Sequence, residues 1–160
     1  MFSCCWGCRT TIAVLLAMTA LPSTDRILRG TTDMSTKTYR DSVLVIDDDE
    51  DCRTLIGSIA QSSGLRVLEA SDCRRGLSVL EREHDRIKMV ILDYFMPGLE
   101  PKKCAAAIIA KAGPLIPVVL LTAAVDARAR AAELKISRWI SKPFEPSALT
   151  SLLTQPNYKL

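Results

Sequence analysis

The chain is constrained most by five short apolar runs, which alternate with longer segments that have the period of amphipathic helices. The first run, residues 43–46, contains no polar residue, which is typical of a parallel strand covered on both faces. Strands of about five residues separated by helices of about 10–14 residues are typical of parallel sheets with crossover helices. The sequence therefore predicts an α/β fold with a doubly wound, five-stranded parallel sheet.

The predicted elements follow one another as strand and helix five times. In the first helix, Leu55, Ile56 and Ile59 are predicted to share the buried face. The second helix is predicted to be capped by Ser71 or Asp72. The predicted strands are residues 43–46, 65–69, 88–92, 117–121 and 138–140, and the other predicted helices are residues 49–62, 101–113, 124–134 and 146–153.

The charge of the chain is unevenly distributed. Residues 1–40 hold five Lys and Arg against two Asp and Glu, whereas residues 41–160 hold sixteen of each sign. With 48% apolar residues, the second segment can bury a core of its own. Because this segment has no net charge, the sequence argues against a nucleic-acid groove and against a firm association with membranes.

The first forty residues have a different character from the rest. Arg9, the apolar run at residues 12–21 and Pro22 have the outline of a secretory signal, but the run is too short to span a bilayer comfortably. Met34 resembles a natural start, eight residues before the first strand. Three interpretations stay open: an artefactual or disordered extension, a weak membrane-proximal anchor, or a true export signal.

The six cysteines do not indicate a metal site. Three of them cluster within residues 4–8, but a zinc site needs four ligands and the one histidine of the chain is His84. We interpret the three cysteines of the second segment as small, partly buried helix residues. These are Cys52, Cys73 and Cys104.

Polar side chains stand at the carboxyl end of four of the five apolar runs. Asp47 and Asp48 follow the first, Asp93 follows the third, Thr122 ends the fourth and Lys142 follows the fifth. Open parallel sheets place their ligand crevice at this edge. Three carboxylates, one hydroxyl and one ammonium at a single edge form a set suited to Mg²⁺ and a phosphoryl group.

These residues, together with Met96-Pro97-Gly98 after Asp93 and Pro143 after Lys142, resemble the receiver domain of the response-regulator family of two-component signalling. The resemblance extends from Val43 to roughly Leu153 and implies the (βα)5 flavodoxin-like receiver fold. It divides the chain into an N-terminal extension at residues 1–40, a receiver domain at 41–155 and a tail at 156–160.

The resemblance implies a role for each residue of the acidic set. Asp93 is the expected phosphoacceptor, since a carboxylate can form an aspartyl phosphate. Asp48 is expected to bind Mg²⁺ directly and Asp47 to act more through water. Asp93 and the backbone carbonyl of Phe95 are the further expected metal ligands.

The resemblance also implies roles for the residues downstream. The Thr122 hydroxyl is expected to donate to a phosphoryl oxygen, and the Lys142 ammonium to pair first with Asp93 and then with the phosphoryl group. The peptide before Pro143 is commonly cis in such motifs. Trp139 stands where receivers carry an aromatic switch residue that works with Thr122, although it could equally be a core aromatic.

The resemblance therefore implies a signalling phosphoacceptor rather than an enzyme. It implies Mg²⁺-dependent transfer from the phosphohistidine of a sensor histidine kinase or a histidine phosphotransfer protein to Asp93. No output domain follows residue 153, so a single-domain receiver is expected, whose output is contact with an unknown downstream protein or onward relay. A cytoplasmic location is expected, in conflict with the apolar run near the N-terminus.

Two other functions remain to be weighed. A degenerate receiver could act as a binding module alone. A phosphatase of the haloacid-dehalogenase type would use Asp47 and Asp49 as its D-x-D pair, but that family requires Thr or Val where this chain has Asp51. It also requires a late acidic pair, for which Glu145 alone is available, and it leaves Asp93 unexplained.

One departure from the receiver pattern concerns the backbone after the fourth helix. A glycine in the left-handed conformation is expected there, and this chain has Lys135. Keeping that backbone shape would cost about 1 kcal/mol without glycine.

Overall fold

The computed structural model describes residues 40–154. The tail and all but the last residue of the N-terminal extension lie outside the described residues. Strands and helices alternate through the described part, as the sequence predicts. The strands are β1 Ser42–Ile46, β2 Arg66–Ala70, β3 Ile87–Asp93, β4 Val118–Thr122 and β5 Arg138–Ser141, and the helices are α1 Glu50–Ser62, α2 Cys73–Glu83, α3 Pro101–Ala112, α4 Ala127–Glu133 and α5 Pro146–Thr154.

The five strands form one sheet with the order β2-β1-β3-β4-β5, and every neighbouring pair is parallel. This confirms the predicted doubly wound fold. The chain order reverses at β1, which lies between β2 and β3. Ligands of open parallel sheets bind at such a reversal, outside the carboxyl ends of the strands.

Each face of the sheet is covered by its own hydrophobic cluster. Val43 and Val45 of β1 point into the cluster beneath α1 and α5, and Leu44 and Ile46 point into the cluster beneath α2, α3 and α4. Every residue of β1 is therefore buried. This two-sided burial explains why residues 43–46 are uniformly apolar rather than alternating.

Aspartate side chains fix the starts of three helices. Asp49 accepts from the backbone amide of Asp51 at 3.0 Å, and Asp72, rather than Ser71, caps α2. Asp126 accepts from the Ala129 amide at 2.9 Å. Because this cap fixes the first turn, α4 begins at residue 127 and not at the predicted residue 124.

The predicted buried face of α1 was wrong at one position. Ile56 is buried and Ile59 packs at the edge of the core, but Leu55 is 49% exposed. The buried side of the helix is centred on Ile56, Gly57 and Ala60. Leu55 lies about 100° from Ile56 around the helix and so faces solvent.

Lys135 keeps the left-handed backbone conformation of the glycine that the receiver pattern has at this position, with φ of 58°. It follows the C-terminal end of α4, where its amide donates to the carbonyl of Ala132 at 3.1 Å.

The interpretation of the three cysteines as small, partly buried helix residues was wrong for two of them. Cys73 and Cys104 are buried and form a disulfide with a Cα–Cα distance of 5.9 Å. The bond joins the first residue of α2 to the first turn of α3. The packing of α2 against α3 brings together two cysteines that are 31 positions apart in sequence. The spacing of the cysteines in the sequence does not reveal this pairing.

The helices of the described part are short. The longest, α1, has 13 residues, whereas a membrane-spanning helix needs about 20 apolar residues. Within residues 40–154, no helix is long and apolar enough to cross a membrane.

Gly76 of α2 provides a test of the packing against β1. A Cβ at this position would clash with Cδ1 of Ile46 and lie 3.0 Å from its Cγ1. Since Ile46 is fully buried, we expect Gly76→Ala to lower the free energy of unfolding by about 1–3 kcal/mol. Urea denaturation followed by circular dichroism measures the change.

Gly57 of α1 is the matched control. A Cβ there would be 3.7 Å from its nearest neighbours, an ordinary van der Waals distance. Gly57→Ala is expected to raise the free energy of unfolding by about 0.5–1 kcal/mol through helix propensity. Equal effects of the two substitutions would contradict the close approach of α2 to β1.

Candidate functional site

The sheet register brings the predicted site residues to one edge. Ile46 pairs with Leu92, so the residues that follow them, Asp47 and Asp93, leave neighbouring strands side by side. Thr122 ends β4, and its carbonyl accepts from the backbone amide of Lys142 at 2.8 Å. Residues that are 95 positions apart in sequence therefore share one crevice.

Three carboxylates converge at the ends of β1 and β3. One oxygen each from Asp47, Asp48 and Asp93 lies within 4.8 Å of the others. Asp47 and Asp93 are buried, at 0% and 5% exposure, whereas Asp48 is exposed. Buried carboxylates at such distances repel one another, so the arrangement requires positive charge nearby.

Lys142 provides one positive charge. Its Nζ lies 2.8 Å from Oδ2 of Asp47 and 2.8 Å from Oδ1 of Asp93. Burial of the ammonium opposes its charge, but the two carboxylates outweigh this effect and raise the pKa of Lys142. The lysine is therefore charged at neutral pH. The Lys142–Pro143 peptide is cis, as the motif predicted.

Asp93 is held at both of its carboxylate oxygens. Oδ1 contacts Lys142, and Oδ2 accepts from the backbone amide of Phe95 at 2.7 Å. Burial raises the pKa of Asp93 above its ordinary value, although Lys142 acts in the opposite direction. The charge of Asp47 adds to the upward shift of this pKa.

The donor set fits a hard divalent cation. When all three carboxylates are ionised, they and the one ammonium give the site a net charge of −2 (three negative charges, one positive). All three cluster atoms are oxygens, which Mg²⁺ prefers as ligands. A divalent cation would neutralise this excess, so the residues present fit the predicted Mg²⁺.

Thr122 lies buried at the end of β4, where its Oγ1 accepts from the Ala124 amide at 3.1 Å. The hydroxyl keeps its own hydrogen as a donor. Phe95 is 56% exposed, with its ring edge-on to that of Tyr94, and its amide donates to Asp93. Trp139 is 38% exposed and lies on β5 beside Leu120, three residues before Lys142.

Sequence reasoning missed two residues of α1 that reach this edge. The Arg53 guanidinium donates to the backbone carbonyl of Asp47 at 2.7 Å. The Cys52 thiol contacts the Asp47 carboxylate, and burial together with this contact raises its pKa from 9.0 to about 12. Both lie within six residues of Asp47, but their direction depends on how α1 packs.

The amino-acid sequence matches the model of the family described as "Response regulator receiver domain" over residues 43–154. The match covers more than half of the chain, and the strand ends that carry the site lie within it. The chain therefore belongs to the response-regulator receiver family of two-component signalling.

Known relatives agree with this assignment. The chain is 33% identical to the uncharacterized transcriptional regulatory protein YbdJ of Bacillus subtilis, over 71% of this chain and 48% of that protein. It is 29% identical to the putative two-component response regulator ARR21 of Arabidopsis thaliana, over 69% of this chain and 18% of that protein. The chain thus spans less than half of the length of these relatives.

Solved structures share the fold. A response regulator receiver domain protein from Clostridium thermocellum has a TM-score of 0.62 and 27% identity, over 70% of this chain and 90% of that one. The chemotaxis response regulator CheY4 of Vibrio cholerae has a TM-score of 0.61 and 24% identity, over 70% of this chain and 94% of that one.

The raised pKa of Cys52 predicts slow alkylation in metal-free protein. Thiolate is the reactive form, so a thiol whose pKa is about 12 should react with iodoacetamide on the order of 10²–10³-fold more slowly at pH 8 than glutathione. The rate should keep rising with pH beyond pH 10, since the group ionises late. Peptide mapping by mass spectrometry in EDTA measures the rate at this residue.

Asp47→Asn is the control for the cause of this shift. It removes the negative charge of Asp47, which contributes to the raised thiol pKa, so alkylation of Cys52 at pH 8 should accelerate. A wild-type rate equal to that of glutathione would contradict the described environment of the thiol.

Proposed function

We propose that the protein accepts a phosphoryl group on Asp93 from the phosphohistidine of a sensor histidine kinase or a histidine phosphotransfer protein. The observation that carries the proposal is the Lys142 ammonium, which lies 2.8 Å from both Asp47 and Asp93 within a cluster of three carboxylates. Family membership supports it, because receivers are signalling phosphoacceptors. The protein is proposed to act as a phosphoacceptor and not as an enzyme that turns over a separate substrate.

The chemistry is a transfer between two nucleophiles. An Asp93 carboxylate oxygen forms a bond to phosphorus, the phosphorus–nitrogen bond of the donor breaks, and the imidazole leaves with the electron pair. Asp47, Asp48, Asp93 and the carbonyl of Phe95 would hold Mg²⁺. When bound, the ion supplies positive charge that offsets the repulsion between the carboxylate and the incoming phosphoryl group.

The remaining residues of the site respond to the new charge. Lys142 is already charged and can exchange a carboxylate contact for a phosphoryl oxygen, because charge-assisted hydrogen bonds to either acceptor are strong. The Thr122 hydroxyl can donate to another phosphoryl oxygen. We propose that Thr122 and the partly exposed Trp139 report this change to the surface, where a downstream protein binds or a further relay partner accepts the group.

The wider assignment is also part of the proposal. Residues 41–155 form the receiver domain, residues 1–40 an N-terminal extension and residues 156–160 a tail. The site of action is the cytoplasm, where phosphorylated kinases and Mg²⁺ are available. We propose protein partners only, without nucleic acid and without a firm association with membranes, since residues 41–160 carry equal numbers of both charges.

Acetyl phosphate with Mg²⁺ tests the proposed function against its alternatives. A phosphoacceptor gains the mass of one phosphoryl group, which intact mass spectrometry detects. A phosphatase that uses the D-x-D pair would hydrolyse many molecules of acetyl phosphate. This activity would be retained in Asp93→Asn and lost in Asp47→Asn. If the protein neither gains a phosphoryl group nor hydrolyses acetyl phosphate, the result favours a degenerate receiver that acts only as a binding module.

Asp93→Asn is expected to abolish the mass increment. In the proposed arrangement, no other carboxylate of the cluster is both next to the cation and in line with the phosphoryl donor. Asp51→Asn is the matched control, since Asp51 is an exposed carboxylate in the first turn of α1. It should leave the yield unchanged. Phosphorylation of Asp93→Asn on Asp47 or Asp48 at the wild-type rate would overturn the assignment.

The phosphorylated form is expected to be long-lived. Hydrolysis requires a water aligned with the Asp93–phosphorus bond, and the nearby Phe95 and Ala124 have no side-chain group that could hold it. The loss of such a contact costs on the order of 10² in rate. We expect Phe95→Asn combined with Ala124→Glu to speed the decay.

The lifetime is measured on the purified protein after acetyl phosphate has been removed. Intact mass is recorded at intervals in Mg²⁺ buffer for the wild type and the double variant. Leu115→Asn, at an exposed loop position in a different part of the fold, controls for the effect of an added polar side chain. Wild-type decay within seconds would refute the expectation.

A further inference from the structure

Arg53 is an unusually enclosed arginine. It is the fourth residue of α1, and its side chain is only 13% exposed. Arginine is rarely buried unless its guanidinium is paired. Here the guanidinium contacts two groups: NH1 donates to the backbone carbonyl of Asp47 at 2.7 Å, and Nε lies 3.5 Å from Oε2 of Glu69 on β2.

The carbonyl that Arg53 contacts belongs to a residue whose other polar groups are already fixed. The Asp47 amide donates to the Ala70 carbonyl at 3.1 Å. Its carboxylate accepts from the Asp49 amide at 3.0 Å and pairs with Lys142. Arg53 completes this set of contacts at the carbonyl, the point where the chain leaves β1.

Fixing that carbonyl also fixes the direction of the next residue. The peptide group between Asp47 and Asp48 is planar, so a held carbonyl determines where the Cα of Asp48 lies. Asp48 is exposed and contributes an oxygen to the three-carboxylate cluster. Mg²⁺ requires near-octahedral geometry, so small displacements of a ligand weaken its binding.

We propose that Arg53, supported by Glu69, is a positioning residue for the cation site, which acts through the Asp47 carbonyl to orient Asp48. This inference rests on the proposed function, since Mg²⁺ is the cation of the proposed transfer. Arg53 contacts neither the cation nor the phosphoryl group. Its effect on the site is mechanical, through the backbone.

The sign of the effect separates this role from simple electrostatics. A guanidinium near a cation site repels the cation, so removal of the charge alone would tighten Mg²⁺ binding. Loss of a positioning contact would weaken binding instead. A residue that only stabilises the fold would change the unfolding free energy and leave the Mg²⁺ affinity of the folded protein unchanged.

Isothermal titration with MgCl₂ measures the affinity in wild type, Arg53→Met, Arg53→Lys and Glu69→Gln, at a temperature where circular dichroism shows each variant folded. We expect the dissociation constant of Arg53→Met to rise about tenfold, as is typical for residues that support metal ligands. Arg53→Lys retains one donor and should recover part of the loss. Glu69→Gln should weaken binding less than Arg53→Met.

Arg75→Met is the matched control. Arg75 also lies in the first half of a helix and pairs with an aspartate three residues away, but its side chain is 71% exposed. Its substitution should leave the dissociation constant for Mg²⁺ unchanged. If Arg53→Met fails to fold, the comparison of Arg53→Lys and Glu69→Gln with wild type tests the same ranking.

Hydrogen–deuterium exchange in EDTA provides a readout without metal. The Asp49 amide donates to the Asp47 carboxylate, so it should lose protection in Arg53→Met and keep it in Arg75→Met. An unchanged or lower dissociation constant in Arg53→Met overturns the inference, as does a wild type that does not bind Mg²⁺. A wild type that binds Mg²⁺ but gains no phosphoryl group contradicts the proposed function and leaves this inference standing.

Discussion

The paired contacts of Lys142 are the interaction on which the site depends. Two carboxylates with exposures of 0% and 5% stand next to each other at the ends of β1 and β3. Without a buried counter-charge, their mutual repulsion and lost hydration would oppose folding of this edge. The ammonium, at 2.8 Å from each, offsets part of that cost and joins β5 to the centre of the sheet.

Lys142 neutralises only part of the negative charge of the three carboxylates, and the remaining charge can attract a cation. One ammonium against three carboxylates leaves an excess of negative charge, which a divalent cation can neutralise. Burial raises the pKa of Asp93, the proposed nucleophile, while Lys142 opposes that shift. In the proposed transfer, the same lysine would exchange a carboxylate contact for a phosphoryl oxygen without losing its own proton.

The sequence predicted features that depend on neighbouring residues better than features that depend on contacts between distant parts of the chain. Strand positions and the polar residues at their ends follow from local runs of sequence, because a strand buried on both faces must be apolar. The start of α4 was predicted three residues early because the competing Asp126 cap was overlooked. The disulfide of Cys73 with Cys104 and the contact of Arg53 with Asp47 require knowledge of helix packing.

The sequence by itself determined the fold class and the edge at which the site lies, because the periodicity of apolar residues and the parallel crossovers leave few arrangements of five such units. The resemblance to receivers, rather than periodicity, indicated the left-handed position that Lys135 occupies. Only the tertiary structure decided which face of α1 is buried, how Arg53 contacts the Asp47 carbonyl and how Lys142 divides between two carboxylates. Those contacts depend on distances between elements far apart in sequence, which are set by packing of the whole core and not by local pattern.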